Sequence, residues 1–152
     1  MKELMLLVLS LFPQDEVKEI DVEQAFCLTT AIYFEAANQD YDGKIAVAHN
    51  ISNRMKSKKF PNTICGVINQ PKQYSFMHDG KSENVDIKHP MKKKQWIYSA
   101  KAAFSAMMGH TFDNTNGSLY YLNPELSTKR WADMLTTSYT QVAVVGDHTF
   151  YR

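Results

Sequence analysis

Apolar residues recur along this chain in two rhythms, a three-to-four spacing over most of the first 108 positions and a shorter alternation beyond about residue 118. The run Leu4-Met-Leu-Leu-Val-Leu-Ser-Leu-Phe12 predicts an apolar helix ended by Pro13, followed by an acidic linker over 14–19. Val22, Phe26, Thr29, Ile32 or Tyr33, and Ala36 then mark one face of a second helix, with Asp21 as its N-cap and Asn38, Gln39 and Asp40 as turn residues after it. Asp42 is placed to cap the next helix, over 43–57, whose Ile45, Ala48, Ile51 or Ser52, and Met55 share a face. Phe60-Pro61-Asn62 signals a short helix over 63–68 that Asn69-Gln70-Pro71 stops. Residues 73–77 alternate as a short strand before a turn at 78–80, and the polar stretch 81–88 reads as a surface loop.

Pro90 opens a long helix to Met108. Trp96, Ile97, Ala100, Ala103, Phe104, Met107 and Met108 form its apolar stripe, opposite Lys92, Lys93, Lys94 and Lys101, and Gly109 stops it. The remainder reads as strands over 118–122, 139–145 and 149–151, the last two joined by a Gly146-Asp147 hairpin. Helices first and a small antiparallel sheet afterwards define an α+β domain, without repeats or low-complexity stretches.

At 152 residues the chain suits one domain. Residues 1–20 form an apolar helix and acidic linker, and residues 21–152 the main domain. The net charge of +1 hides an asymmetry: residues 1–42 carry nine acids and two bases, residues 54–101 eleven bases and three acids. The middle of the chain is thus a candidate anion-facing surface. Cys27 and Cys65 are too few for a disulfide scaffold and lack zinc spacing, so buried free thiols are expected. The first apolar run is far shorter than the roughly 20 residues that span a bilayer, and neither a basic leader nor a small-residue cleavage site accompanies it.

Candidate chemistry centres on Glu35. On a helix it lies in line with Leu28 and Ala31 and is flanked by Tyr33 and Phe34. Such surroundings desolvate a carboxyl and raise its pKa toward the range of a general acid, the alternative being a solvated Glu at a helix end. The five histidines show no paired metal-ligand spacing, so neither metal nor cofactor is expected. A cysteine nucleophile would stand in apolar helical surroundings that blunt it, and a phosphate-cradling glycine loop is absent. The competing class is a non-catalytic binder of nucleic acid or cell wall through the basic middle segment, with Tyr74, Phe76 and Trp96 interleaved. A half-buried Glu at a helix end serves no purpose in nucleic-acid binding.

Several blocks occur in an order that resembles the SleB-type cell wall hydrolase family: Ala31-Ile-Tyr-Phe-Glu-Ala-Ala37, Asp42-Gly-Lys-Ile-Ala-Val-Ala48, Asn53-Arg-Met55, residues 60–68, and Gln73-Tyr-Ser-Phe76. Leu119-Tyr-Tyr-Leu-Asn-Pro124, Trp131 and Gly146-Asp-His-Thr-Phe150 resemble its closing blocks. The resemblance spans about residues 25–150. It implies a lysozyme-like catalytic domain that cleaves peptidoglycan glycan strands, in several relatives as a lytic transglycosylase, with Glu35 as catalytic acid. The family follows this Glu with Ala-Arg-Gly-Glu, whereas Ala36-Ala-Asn-Gln39 stands here.

A hydrolytic glycosidase needs a second carboxylate. Asp40, Asp42, Asp79 and Asp147 are candidates, each also explained as a cap or turn residue. A lytic transglycosylase needs none, because the muramoyl 6-hydroxyl attacks the anomeric carbon itself; a muramidase is the alternative. Tyr74, Ser75, Phe76, Tyr120, Tyr121 and Asn123 are the candidate substrate-binding residues, offering flat faces to sugar rings and polar groups to hydroxyls. Strand alternation sends Tyr120 and Tyr121 to opposite faces, so at most one of the two faces the substrate, and Trp131 reads as a core or loop anchor. The expected partner is the peptidoglycan strand, met by a monomer that has no nucleic-acid partner and no stable membrane span. A compact catalytic domain of this kind suits a phage lysis protein made in the host cytoplasm, or else a bacterial wall-remodelling enzyme.

Overall fold

The computed structural model describes residues 1–71, 73–74 and 85–152. Helices α4 (Tyr41–Lys56), α5 (Ile64–Ile68) and α6 (Pro90–Met107) pack on α3 (Val22–Ala36), while α1 (Lys2–Leu9), followed by the short α2 (Gln14–Val17), lies mainly on α6. Asp21 caps α3 by accepting from the amides of Glu23 and Gln24. Leu28, Ala31, Ile32 and Ala36 of α3 are buried against Ile45, Val47, Ala48 and Ile51 of α4, Val67 and Ile68 of α5, and Ala102 and Ala103 of α6. So many small residues let the helices approach closely. The buried Thr29 and Thr30 hydroxyls satisfy themselves on the carbonyls of Ala25 and Phe26, both at 2.8 Å. Met5, Val8 and Leu9 lay α1 on Ala25, Ala100 and Phe104. Among the described residues no helix is long and apolar enough to cross a membrane.

Asp40, not Asp42, caps α4, by accepting from the Gly43 amide at 3.0 Å. Both aspartates precede the apolar face, but only Asp40 has the extended backbone that aims a side chain back at the first turn. The turn before it is held from within the core. Lys44, almost fully buried, donates to the carbonyls of Ala36, Ala37 and Gln39 at 2.8, 3.0 and 2.6 Å, so one ammonium closes the carbonyl end of α3.

The polar side of α4 ties down the chain that leads to the sheet. Asn50 donates to the Ser118 hydroxyl and Asn53 to Asp113 and the Ser118 carbonyl. Asp113 also accepts from Thr115 and Gly117; burial works to raise its pKa, but these hydrogen bonds outweigh it and hold the carboxylate below its ordinary range. The sheet has the antiparallel order β1 (Tyr120–Leu122), β3 (His148–Tyr151), β2 (Gln141–Val145). Tyr121 pairs with Phe150 and Val145 with His148. Gly146, at φ +57°, makes the β2–β3 turn, and a Cβ there would stand 2.3 Å from Gln39 Oε1.

Three further expectations need correction. The stretch expected to be strand-like contains a helix, α7 (Lys129–Ser138), capped by Thr128 and carrying an i,i+4 Lys129–Asp133 pair. Trp131, Ala132 and Leu135 pack it on the sheet; Trp131, Met134 and Leu135 do hold a helical spacing, but the helix is only ten residues long and lies between runs that alternate. The strand expected over 73–77 begins with Gln73 in a turn and Tyr74 outside any strand; 75–77 fall outside the described residues.

Finally, Cys27 and Cys65 are not free thiols but a disulfide joining α3 to α5, Cα–Cα 5.4 Å. The Cys65 amide donates to Gln24 Oε1 at 2.9 Å, which seats α5 against α3 and brings the sulfurs together. With 38 residues of separation, the bridge is expected to contribute about 4 kcal/mol, largely by restricting the unfolded chain. Denaturant titration of the Cys27→Ala/Cys65→Ala protein, or of the native protein under reductant, measures this loss; equal stability of oxidised and reduced protein would contradict it.

Candidate active site

The C-terminal turn of α3 delivers Glu35 to a cleft of about 580 Å³ between the helices and the sheet. Phe34, Asn38 and Gln39 line it from the α3 side, Arg54 from α4, Gln73 and Tyr74 from the following segment, and Tyr121, Asn123, Trp131 and His148 from the sheet side. Glu35 is the one carboxylate among the described lining residues.

Burial raises the pKa of Glu35 above its ordinary value. A hydrogen bond donated by the Tyr121 hydroxyl and the charge of Arg54 oppose that rise without cancelling it. The phenols respond in turn: burial pushes Tyr74 up to about 12, and burial together with the Glu35 charge pushes Tyr121 well above its ordinary value. Both remain donors throughout the working pH range. The carboxyl is thus protonated more readily than a surface Glu, yet its anion has a donor and a cation at hand. A group that gives up a proton and later takes it back needs both properties.

Arg54 is buried, 4% exposed. Its Nε donates to the Leu119 carbonyl at 2.6 Å and its Nη1 to Tyr74 Oη at 3.3 Å and Gln73 Oε1 at 3.4 Å. The guanidinium lies 5.1 Å from the ring centre of Phe60, 5.7 Å from Tyr74 and 5.8 Å from Tyr120. This aromatic box fixes both the cation and the start of β1.

The two tyrosines of β1 part as strand alternation requires. Tyr121 points to Glu35, whereas Tyr120 packs on Tyr139, ring centres 4.2 Å apart, and does not line the cleft. Tyr74 reaches the cleft from the core, 1% exposed, so it offers a hydroxyl rather than a ring face. Asn123 lines the cleft; Ser75 and Phe76 lie outside the described residues. Trp131, expected to be a core or loop anchor, lines the cleft as well as packing on the sheet. Its sugar-sized flat face is the kind of platform a glycan groove uses.

Sequence reasoning gave no role in the site to Arg54 or His148 and read Gln39 as a turn residue alone. Gln39 Nε2 donates to Asp147 Oδ2 at 2.8 Å and its Oε1 accepts from the Asp147 amide at 3.1 Å, clamping the turn after α3 to the β2–β3 hairpin. His148 is buried with its ring edge-on to Tyr121, centres 5.2 Å apart; burial lowers its pKa, leaving it a neutral wall of the cleft. Asp40, Asp42 and Asp147 do not line the cleft, and Asp79 is outside the described residues. Among the described residues no three of His, Cys, Asp and Glu gather where they could hold a metal ion.

The comparisons with known proteins converge on one group. Spore cortex-lytic enzymes of Bacillus cereus and Bacillus subtilis are 32% and 31% identical over 126 and 123 residues, in each case 81% of this chain. The chain spans 42% and 35% of the lengths of those two relatives. The solved catalytic domain of the germination-specific lytic transglycosylase SleB from Bacillus anthracis superposes with a TM-score of 0.68 at 28% identity, covering 88% of this chain and 98% of that domain. The Bacillus cereus SleB catalytic domain gives 0.62 and 28%, covering 87% and 91%. The expected lysozyme-like fold is therefore the fold of this chain. The family model for cell wall hydrolases matches residues 38–151, opening three residues beyond Glu35. With three quarters of its length inside that match and its fold shared with the SleB catalytic domains, the chain belongs to the cell wall hydrolase family.

Proposed function

We propose that this chain cleaves the peptidoglycan glycan strand between N-acetylmuramic acid and N-acetylglucosamine as a lytic transglycosylase, with Glu35 as its acid and then its base. The observation that carries the reading is the solitary carboxylate: among the described residues lining the cleft, Glu35 has no acidic partner. Hydrolysis with inversion or retention needs two. Intramolecular attack needs one. Protonated Glu35 gives its proton to the glycosidic oxygen as the C1–O bond breaks. The muramoyl 6-hydroxyl oxygen then bonds to C1, and its proton passes to the Glu35 carboxylate, restoring the acid without consuming water.

The neighbours of Glu35 suit both halves. Burial favours the acid form before cleavage, while the Tyr121 hydroxyl and Arg54 stabilise the anion between the steps. Asn38, Asn123 and Trp131 supply amide donors and a flat face for the sugars. The B. anthracis relative, described as a lytic transglycosylase, supports the same chemistry. The Cys27–Cys65 bridge supports action in an oxidising compartment at the bacterial wall.

Mass spectrometry of muropeptides from digested sacculi tests the reading. The expected glycan ends carry 1,6-anhydromuramic acid, lighter than the hydrolytic product by one water. Asp40→Asn, Asp42→Asn and Asp147→Asn variants are each expected to retain most of the activity, since each of these carboxylates can be lost without losing the acid. Reducing ends alone, with one folded but inactive Asp variant, would make the chain a muramidase instead.

A further inference from the structure

A second groove, of about 480 Å³, meets the cleft across the turn after α3: Ala37, Asn38 and Gln39 line both. Its volume falls within the roughly 300–1,000 Å³ usual for a small-ligand site. The far wall is one stripe of α6, Met91, Lys94, Gln95 and Tyr98, spaced three and four apart so that all four face the start of α4. Two tyrosines stand at its surface, Tyr41 at 38% and Tyr98 at 40% exposure. The Tyr41 hydroxyl is anchored on Ser105 Oγ at 3.1 Å, which fixes that ring along α6. Tyr98 lies between two ammonium groups, Lys101 Nζ at 5.2 Å and Lys94 Nζ at 5.9 Å from its ring centre. The other charges in the groove are committed elsewhere. Asp40 caps α4, and Lys44 is turned inward onto three carbonyls.

We propose that this groove binds the short acidic stem peptide carried by a muramoyl unit of the strand seated in the cleft. The inference rests on the glycan-cleaving reading above and adds a recognition element to it. A substituent leaving the cleft beside Asn38 and Gln39 enters the second groove directly, because those residues form the shared rim. Lys94 in the groove, with Lys101 beside Tyr98 at its edge, complements the free carboxylates of the peptide, and Tyr98, Tyr41 and Met91 cover its aliphatic side chains. Part of the excess positive charge of the middle segment thereby acquires a use beyond solubility. The consequence is a preference for peptide-bearing strands over bare ones.

The test compares soluble peptide-bearing glycan strands with the same strands stripped of peptide by an amidase. The native protein is expected to cleave the former with kcat/KM about tenfold higher, and Lys94→Glu or Tyr98→Ala to erase that advantage through KM while leaving cleavage of stripped strands within about twofold. Both residues are exposed, so folding is not at stake, and melting curves verify it. Binding of each strand to the Glu35→Gln protein, with and without Lys94→Glu, gives a readout independent of cleavage. Loss of activity on both strands alike would make the groove a sugar site, and no loss on either would leave it without a ligand; each result overturns the proposal. A native protein that binds peptide-bearing strands in a Lys94-dependent way but cuts neither strand would instead refute the proposed reaction and leave the groove assignment standing.

Discussion

Replacing Glu35 with Gln is expected to lower lysis of purified sacculi by about two or more powers of ten, without loss of fold. The amide preserves the shape of the side chain and can still meet the Tyr121 hydroxyl through its oxygen, but it has no acidic proton to give the leaving sugar. Stability should move in the opposite direction. Because burial raises the pKa of Glu35 in the fold, its contribution to stability is fully present below the ordinary value of 4.5 and is lost as pH rises through the raised value. Once pH exceeds that raised value the native protein carries a penalised charge that the Gln variant lacks, so there the variant should melt at the same temperature or higher. Below pH 4.5 that difference should vanish. Turbidity clearing and thermal melts across this range check both statements, and a well-folded Gln variant that still clears sacculi would remove Glu35 from the mechanism.

The contrast between Glu35 and its neighbours explains which parts of the site a sequence discloses. A carboxylate amid Leu28, Ala31, Tyr33 and Phe34 breaks the local pattern and is visible as an anomaly. Tyr121 is separable from Tyr120 because strand alternation is a local rule, although which of the two meets Glu35 depends on the register with β3. Arg54 and Lys44 follow no such rule. By spacing, Lys44 shares the stripe of Ala48, Ile51 and Met55, and Arg54 stands three residues beyond Ile51, but solvent is the ordinary destination of such cations and the spacing names no partner for either. Only the fold reveals that three carbonyls wait for Lys44 and that Phe60, Tyr74 and Tyr120 close around Arg54. The same holds for contacts made across long stretches of chain: Gln39 reaches Asp147 over 108 positions, and Cys27 meets Cys65 over 38. Long helices with dense apolar faces, α3, α4 and α6, were legible. Helix α7 was not, although Trp131, Met134 and Leu135 keep a helical spacing, because ten residues between two alternating runs offer only one such repeat.

Replacing Arg54 with Met is expected to destabilise the protein by about 3 kcal/mol or more and to move the pH dependence of catalysis. Methionine fills much of the same volume, yet it leaves the Leu119 carbonyl without its donor and the aromatic box without its cation. Glu35 also loses the positive charge that holds its pKa down, so the carboxyl should stay protonated to higher pH. Two signs follow. The alkaline limb of the kcat/KM profile, which reports loss of the acid form, should shift upward. The stability gap between native and variant protein should widen as pH rises through the carboxylate range, because only the ionised Glu35 misses its partner. Arg54→Lys separates the two contributions: it keeps a charge near Glu35 but cannot reproduce the Nε hydrogen bond to Leu119 in the same fixed geometry. It should therefore be destabilised while its alkaline limb remains close to that of the native enzyme. If the Met and Lys variants lose stability equally and neither limb moves, Arg54 is a structural anchor for β1 alone and has no part in setting the acidity of Glu35.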